Sequence, residues 1–137
     1  MLEYERNPTD GKSVLAPGQV KVIGIGGAGS NVLDRIALEG MDEAELLTLN
    51  TDVRTLNTSV ASDKIQMGKD LTHGLGAGGD PERGAEAAKE AIDEIRAAVE
   101  GKSLVFICVG LGGGTGSGAA PVVAKLARQA GAFVVAF

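Results

Sequence analysis

Cysteine occurs once in this chain of 137 residues, tryptophan not at all, and the other aromatics are three Phe and one Tyr. One cysteine excludes an internal disulfide and any multi-cysteine metal site, and it fits a reducing cytoplasm. With so few aromatics, the core has to be assembled from Val, Ile, Leu and Ala, as in a buried parallel sheet covered by helices. No apolar run approaches the roughly 18 residues of a membrane span. The N-terminus also lacks the charged-then-apolar order of a signal peptide, so direct membrane insertion is not expected. Basic clusters are missing too, and the net charge is −5. Nucleic acid is therefore not an expected partner. The length suits one domain with a modest core, burying roughly two-thirds of its unfolded surface.

Glycine is abundant, at 21 residues, but most of it falls in discrete loops between periodic segments. The densest stretch is Gly110-Leu111-Gly112-Gly113-Gly114-Thr115-Gly116-Ser117-Gly118, directly after the apolar run Leu104–Val109. A backbone without side chains folds closely around a ligand, and positive φ costs it little. The helical pattern starting near Thr115 puts this loop where free helix N–H groups point outward, which favours an anion. A second strand–loop–helix arrangement surrounds Gly24-Ile25-Gly26-Gly27-Ala28-Gly29-Ser30-Asn31. Two such cradles in one short domain point to a nucleotide.

Along the chain, residues 1–18 read as a flexible tail, without periodicity and with Pro8, Gly11 and Pro17. Strands are expected at Val20–Ile25, Leu46–Leu49, Lys64–Met67, Leu104–Val109 and Phe133–Phe137. Helices are expected around Val32–Ala37, from Pro81 to Val99 and from Gly116 to Ala130, with a short turn or helix near Val53–Asn57. Asp80-Pro81-Glu82 has the form of an N-cap, a first-position proline and an acid in the first turn. The following helix should bury Ala85, Ala88, Ile92, Ile95 and Val99 and leave Glu86, Lys89, Glu90, Asp93 and Glu94 in solvent. The long loop Gly68–Asp80, with Gly74-Leu75-Gly76-Ala77-Gly78-Gly79 at its centre, is of a kind more often functional than connecting. Cys108 should be a small buried thiol and His73 a solvent-facing loop residue. Strands alternating with helices predict an α/β fold, a Rossmann-like doubly wound parallel sheet with its glycine loops at the carboxyl ends of the strands.

Gly24-Ile25-Gly26-Gly27-Ala28-Gly29 satisfies the dinucleotide pattern G-x-G-x-x-G. A nicotinamide enzyme also wants an acid at the end of the second strand, where this chain has Asn50, with Asp52 two residues on. Neither glycine loop ends in Gly-Lys-Ser/Thr, so the lysine of a P-loop is lacking.

Gly112–Gly118 matches the tubulin signature loop, and Gly118-Ala119-Ala120-Pro121 continues it as in the bacterial branch. With Gly26–Asn31, Asn50-Thr51-Asp52 and Gly74–Pro81 in the same order and spacing, residues 19–137 closely resemble the N-terminal part of the nucleotide-binding domain in the FtsZ family of cell-division GTPases. That resemblance implies that Gly27, Ala28, Gly29, Ser30, Asn31, Gly113, Gly114, Thr115 and Gly116 hold the α- and β-phosphates of GTP or GDP. It implies that Ala77 and Gly78, in the loop from Gly76, approach the γ-phosphate. Asp52 would orient water around Mg²⁺, with no dedicated metal-ligand set. It further implies a cytoplasmic protein acting at the midcell division site, with self-association into filaments and other cell-division proteins as partners.

Family members continue beyond the fifth strand with the segments that read the guanine, an acidic loop that activates water on a neighbouring subunit's nucleotide, and a second domain. These lie outside the 137 residues, so no catalytic residue is assigned here and the sheet is expected to be incomplete on its C-terminal side. The resemblance thus implies weak nucleotide binding and no appreciable turnover by this chain alone. Two other readings stand beside it: a NAD- or flavin-binding Rossmann domain, and a non-catalytic fragment that caps filaments.

Overall fold

The computed structural model describes residues 18–137; the tail expected over residues 1–18 lies outside them except for Gly18. Five strands form one parallel sheet: β1 (Val20–Ile25), β2 (Glu45–Asn50), β3 (Asp63–Gln66), β4 (Leu104–Val109) and β5 (Phe133–Ala136). Their order is β3-β2-β1-β4-β5, the doubly wound arrangement expected from the sequence. The helices are α1 (Gly26–Leu38), α2 (Val53–Thr58), α3 (Lys69–Thr72), α4 (Pro81–Glu90), α5 (Ile92–Val99) and α6 (Gly114–Gln129).

Strand alternation distributes the core over both faces of the sheet. Ile23, Ile25, Leu47, Leu49, Val105 and Ile107 pack with Ala87, Ala88, Ile95, Val99, Val123 and Leu126 of α4, α5 and α6. On the other face, Val22, Leu46 and Cys108 meet Leu33 of α1, with Ile36, Ala37 and Phe106 around them. This layering is what right-handed crossovers require, because the winding reverses between β1 and β4. The reversal opens a crevice at the carboxyl ends of those two strands.

Three sequence expectations are corrected. The segment Gly68–Asp80 is not loop throughout, since α3 occupies Lys69–Thr72. The first glycine turn is not a loop: α1 begins at Gly26, so Gly27 to Asn31 are already helical. The single helix expected over Pro81–Val99 is broken at Ala91, whose φ of −100° and ψ of 16° leave the helical region. Its buried stripe is Gly84, Ala87, Ala88, Ala91, Ile95 and Val99, while Ala85 and Ile92 are only half-buried. Glycine carries no hydrophobic signal, yet Gly84 lies directly on the backbone of Gly114, so α4 turns toward α6. Glu86, Lys89, Glu90, Asp93 and Glu94 are exposed, as expected. Cys108 is buried, and His73 is exposed.

At the opposite end of the sheet, Lys21 is buried and donates to the Ala98 carbonyl at 2.7 Å. It also pairs with Glu45 at 3.3 Å, and Lys102 pairs with the same carboxylate at 2.8 Å. The Lys102 hydrogen bond is the largest cause holding the Glu45 carboxyl below its ordinary 4.5; burial opposes it and Lys21 assists it. A depressed carboxyl contributes stability above its unfolded value and loses it as pH falls through the folded one. Glu45→Gln is therefore expected to cost about 1–2 kcal/mol at neutral pH, between the exposed-pair and buried-pair ranges. In urea melts of both proteins across pH 3–7 the gap should begin to narrow as pH falls below the ordinary 4.5 and go on narrowing through the lower folded value; a gap independent of pH would refute the ionic origin.

Candidate functional site

A cavity of about 340 Å³ lies at the carboxyl edge of the sheet, where the winding reverses. Its walls are mostly backbone: Gly26, Gly27 and Ala28 of α1, Gly76 to Gly79, and Gly110 through the first turn of α6. The starts of α1 and α6 lie side by side, since a Cβ on Gly26 would sit 3.4 Å from the Gly116 nitrogen. Gly26 itself has φ +74°, which lets the chain leave β1 and enter α1 without a connecting loop.

Four helices begin at or beside the cavity wall, and their caps differ. Asp52 caps α2 by accepting from Arg54 N–H at 2.9 Å and Thr55 N–H at 3.3 Å. Asp80 caps α4 by accepting from Glu82 N–H at 2.9 Å. α1 and α6, whose first turns face the cavity, have Ile25 and Gly113 at their cap positions and no side-chain cap. The first N–H groups of a helix carry partial positive charge and need acceptors. Two uncapped helix starts side by side thus form a locus for an anion, and the surrounding glycines let it approach the backbone.

Of the residues singled out from sequence, Gly27, Ala28, Asp52, Ala77, Gly78, Gly113, Gly114, Thr115 and Gly116 line this cavity. Gly29, Ser30 and Asn31 do not. A Cβ at Gly29 would collide with the Cys108 carbonyl, so this glycine sets how closely α1 rests on β4. Ser30 is buried and bonds the Thr48 hydroxyl at 2.5 Å. Asn31 is exposed outside the cavity wall. Gly114 has a packing duty as well, since its Cα faces the backbone of Gly79 and Asp80.

Sequence reasoning passed over the Thr51 side chain, whose hydroxyl lies 2.6 Å from that of Thr115. No local pattern signals a contact across 64 positions. Asn50, read from sequence against a ribose-binding acid, works on the turn: its Oδ1 accepts from Thr51 N–H at 2.8 Å and Asp52 N–H at 3.2 Å. Its Nδ2 is the one buried side-chain nitrogen or oxygen without a partner among the described residues. Such a group is costly to leave unpaired, by about 1–3 kcal/mol. Among the described residues no three His, Cys, Asp or Glu side chains cluster as metal ligands.

A larger hollow of about 690 Å³ sits between α1 and the β4–β5 side of the sheet. Its lining, which includes Val22, Val32, Ile36, Phe106 and Phe137, offers little to orient a charged ligand.

Fold and cavity together define a doubly wound α/β domain with an anion-attracting crevice at its switch point. Residues 19–137 match the profile of the Tubulin/FtsZ family, GTPase domain, and the chain belongs to that family. It is 47% identical over 139 residues to Cell division protein FtsZ 1 of Methanocaldococcus jannaschii, covering 98% of this chain and 38% of that protein. Among solved structures it is similar to an empty FtsZ dimer of M. jannaschii, at 49% identity and a TM-score of 0.85, over 88% of this chain and 35% of the other. It is also similar to CetZ2 from Haloferax volcanii in a GTPγS-bound protofilament, at 29% identity and a TM-score of 0.72, over 86% and 39% of the two chains. The chain thus spans a little over a third of the length of these relatives. No helix among the described residues is long and apolar enough to cross a membrane.

Proposed function

We propose that this chain forms the phosphate-holding part of a GTPase that assembles into filaments during cell division. The observation that carries the reading is the pair of uncapped helix starts, α1 and α6, facing one glycine-walled cavity while α2 and α4 are capped by aspartates. Family membership supplies the nucleotide, GTP or GDP; the relatives known as an FtsZ dimer and a CetZ2 protofilament support self-association. Gly27, Ala28, Gly113, Gly114, Thr115 and Gly116 would contact the α- and β-phosphates, and Ala77 and Gly78 the γ-phosphate. Gly29 and Ser30 would serve from behind, by placing α1. A cytoplasmic protein meeting other cell-division proteins at midcell completes the reading.

Mg²⁺ would enter with the nucleotide. Asp52 is the one carboxylate lining the cavity, and its Oδ1 is committed to the start of α2. That leaves Oδ2 to hold a water of the ion rather than the ion itself, in keeping with magnesium's few direct protein ligands.

The alternative of a NAD- or flavin-binding domain is disfavoured by the family match and by Asn50 at the end of β2. Titration with a fluorescent GTP analogue and Mg²⁺, competed by GTP, ATP and NAD, tests the reading. Displacement by GTP, with NAD much weaker, is the expected result. Equal displacement by NAD would overturn it in favour of the dinucleotide alternative.

A further inference from the structure

We propose that Thr51 is a positioning residue for the cavity's ligand, acting through Thr115 by supplying the proton that frees the Thr115 hydroxyl to donate to a phosphate. Thr51 is completely buried, 0% exposed, at the carboxyl end of β2, and Thr115 is 9% exposed in the first turn of α6. Their hydroxyl oxygens are 2.6 Å apart, and Thr115 lines the cavity whereas Thr51 does not.

Each hydroxyl has one proton and can accept as well as donate. In an isolated pair, either oxygen can be the donor. A phosphate oxygen only accepts, so a bond to it must use the Thr115 proton. The bond between the two threonines then survives only if Thr51 donates. Among the described residues no side chain but that of Thr115 bonds the Thr51 hydroxyl, which is fully buried there. The fixed direction also strengthens Thr115 as a donor, because a hydroxyl that accepts a bond donates a better one. Thr51 thus selects, without touching the ligand, the rotamer and polarity of a group that does. It also ties the turn after β2 to the start of α6, across the mouth of β1.

The inference rests on the proposed occupant of the cavity, so its test separates the two. GDP and GTP affinities are measured for the chain and for Thr51→Val, Thr51→Ser, Thr115→Val and the Thr51→Val/Thr115→Val pair, with thermal melts to show that each is folded. Thr51→Val is expected to weaken binding about fivefold to tenfold, the scale of one ordinary hydrogen bond between neutral groups. Thr51→Ser should restore affinity to within about twofold, and Thr51→Val should have no further effect once Thr115 is Val, as residues acting through one bond behave. Should Thr51→Val not fold, Thr51→Ala carries the same comparison. Binding weakened by Thr115→Val but not by Thr51→Val overturns this inference alone. An equal effect of Thr51→Val in the Thr115→Val background overturns it as well, by showing a purely structural role. A wild-type chain that binds neither nucleotide overturns the proposed function and the inference together.

Discussion

Gly113→Asp is expected to leave the fold intact, or to stabilise it slightly, while reducing nucleotide affinity on the order of 100-fold to 1,000-fold. Gly113 is the cap position of α6, with φ −84° and ψ 139°, a conformation open to any residue. A Cβ there would meet nothing within 4 Å. Aspartate at this position would accept from the first N–H groups of α6, as Asp52 and Asp80 do for α2 and α4. A side-chain cap and a carboxylate at a helix start each stabilise it, by about 0.5–2 and 0.3–1 kcal/mol respectively. The same carboxylate would occupy the donors that a phosphate needs and repel it, at about 4 kcal/mol per pair of unit charges 4 Å apart in a surface-like medium. Repulsion from a multiply charged ligand outweighs the gain in helix stability only in the bound state. Melting temperature and affinity should therefore move in opposite directions. Paired thermal melts and GDP titrations check this; affinity within threefold of wild type would refute the assignment of α6's start to the ligand.

The second large effect is expected at Gly118, four residues into α6, and is one of folding. A Cβ there would collide with the Pro81 carbonyl and lie 2.6 Å from the Ala85 nitrogen. Both are backbone atoms of α4, which cannot swing aside as a side chain does. Alanine raises helix propensity by about 1 kcal/mol over glycine, but overpacking costs typically 1–3 kcal/mol and more where backbone has to move. The clash should win, with Gly118→Ala lowering stability by at least about 2 kcal/mol out of a total of roughly 5–15. Separation of α4 from α6 would also shift Gly79 and Gly114, so nucleotide affinity should fall with stability, unlike at Gly113. A urea midpoint unchanged by Gly118→Ala would show that the two helices yield more easily than their backbone contact implies.

These two glycines lie five residues apart in one uninterrupted motif, and the sequence does not distinguish them. Read as a string, Gly112 to Gly118 is a phosphate loop throughout. In three dimensions Gly113 faces open space, whereas Gly114 and Gly118 rest on the backbone of Gly79–Ala85. The first glycine turn divides likewise: Gly27 and Ala28 line the cavity, and Gly29 lies against β4. A missing side chain gives the same sequence signal whether the space goes to a ligand or to a neighbouring helix.

The sequence by itself determined what local information can carry. Short apolar or alternating runs between turn residues placed the five strands to within a residue or two, and their alternation with helices implied a parallel sheet. Asp80-Pro81 predicted a capped helix start, which Asp80 provides. Glycine-rich turns following β1 and β4 located the crevice, because a doubly wound sheet must bring those strands together. Tertiary structure alone decided the rest. The turning of α4 through Gly84 onto Gly114, the inward-facing Ser30 and the Thr51–Thr115 bond depend on partners far away in the chain. Periodicity records which face of a helix or strand is apolar; it does not record the neighbour that face will meet, or the rotation needed to meet it.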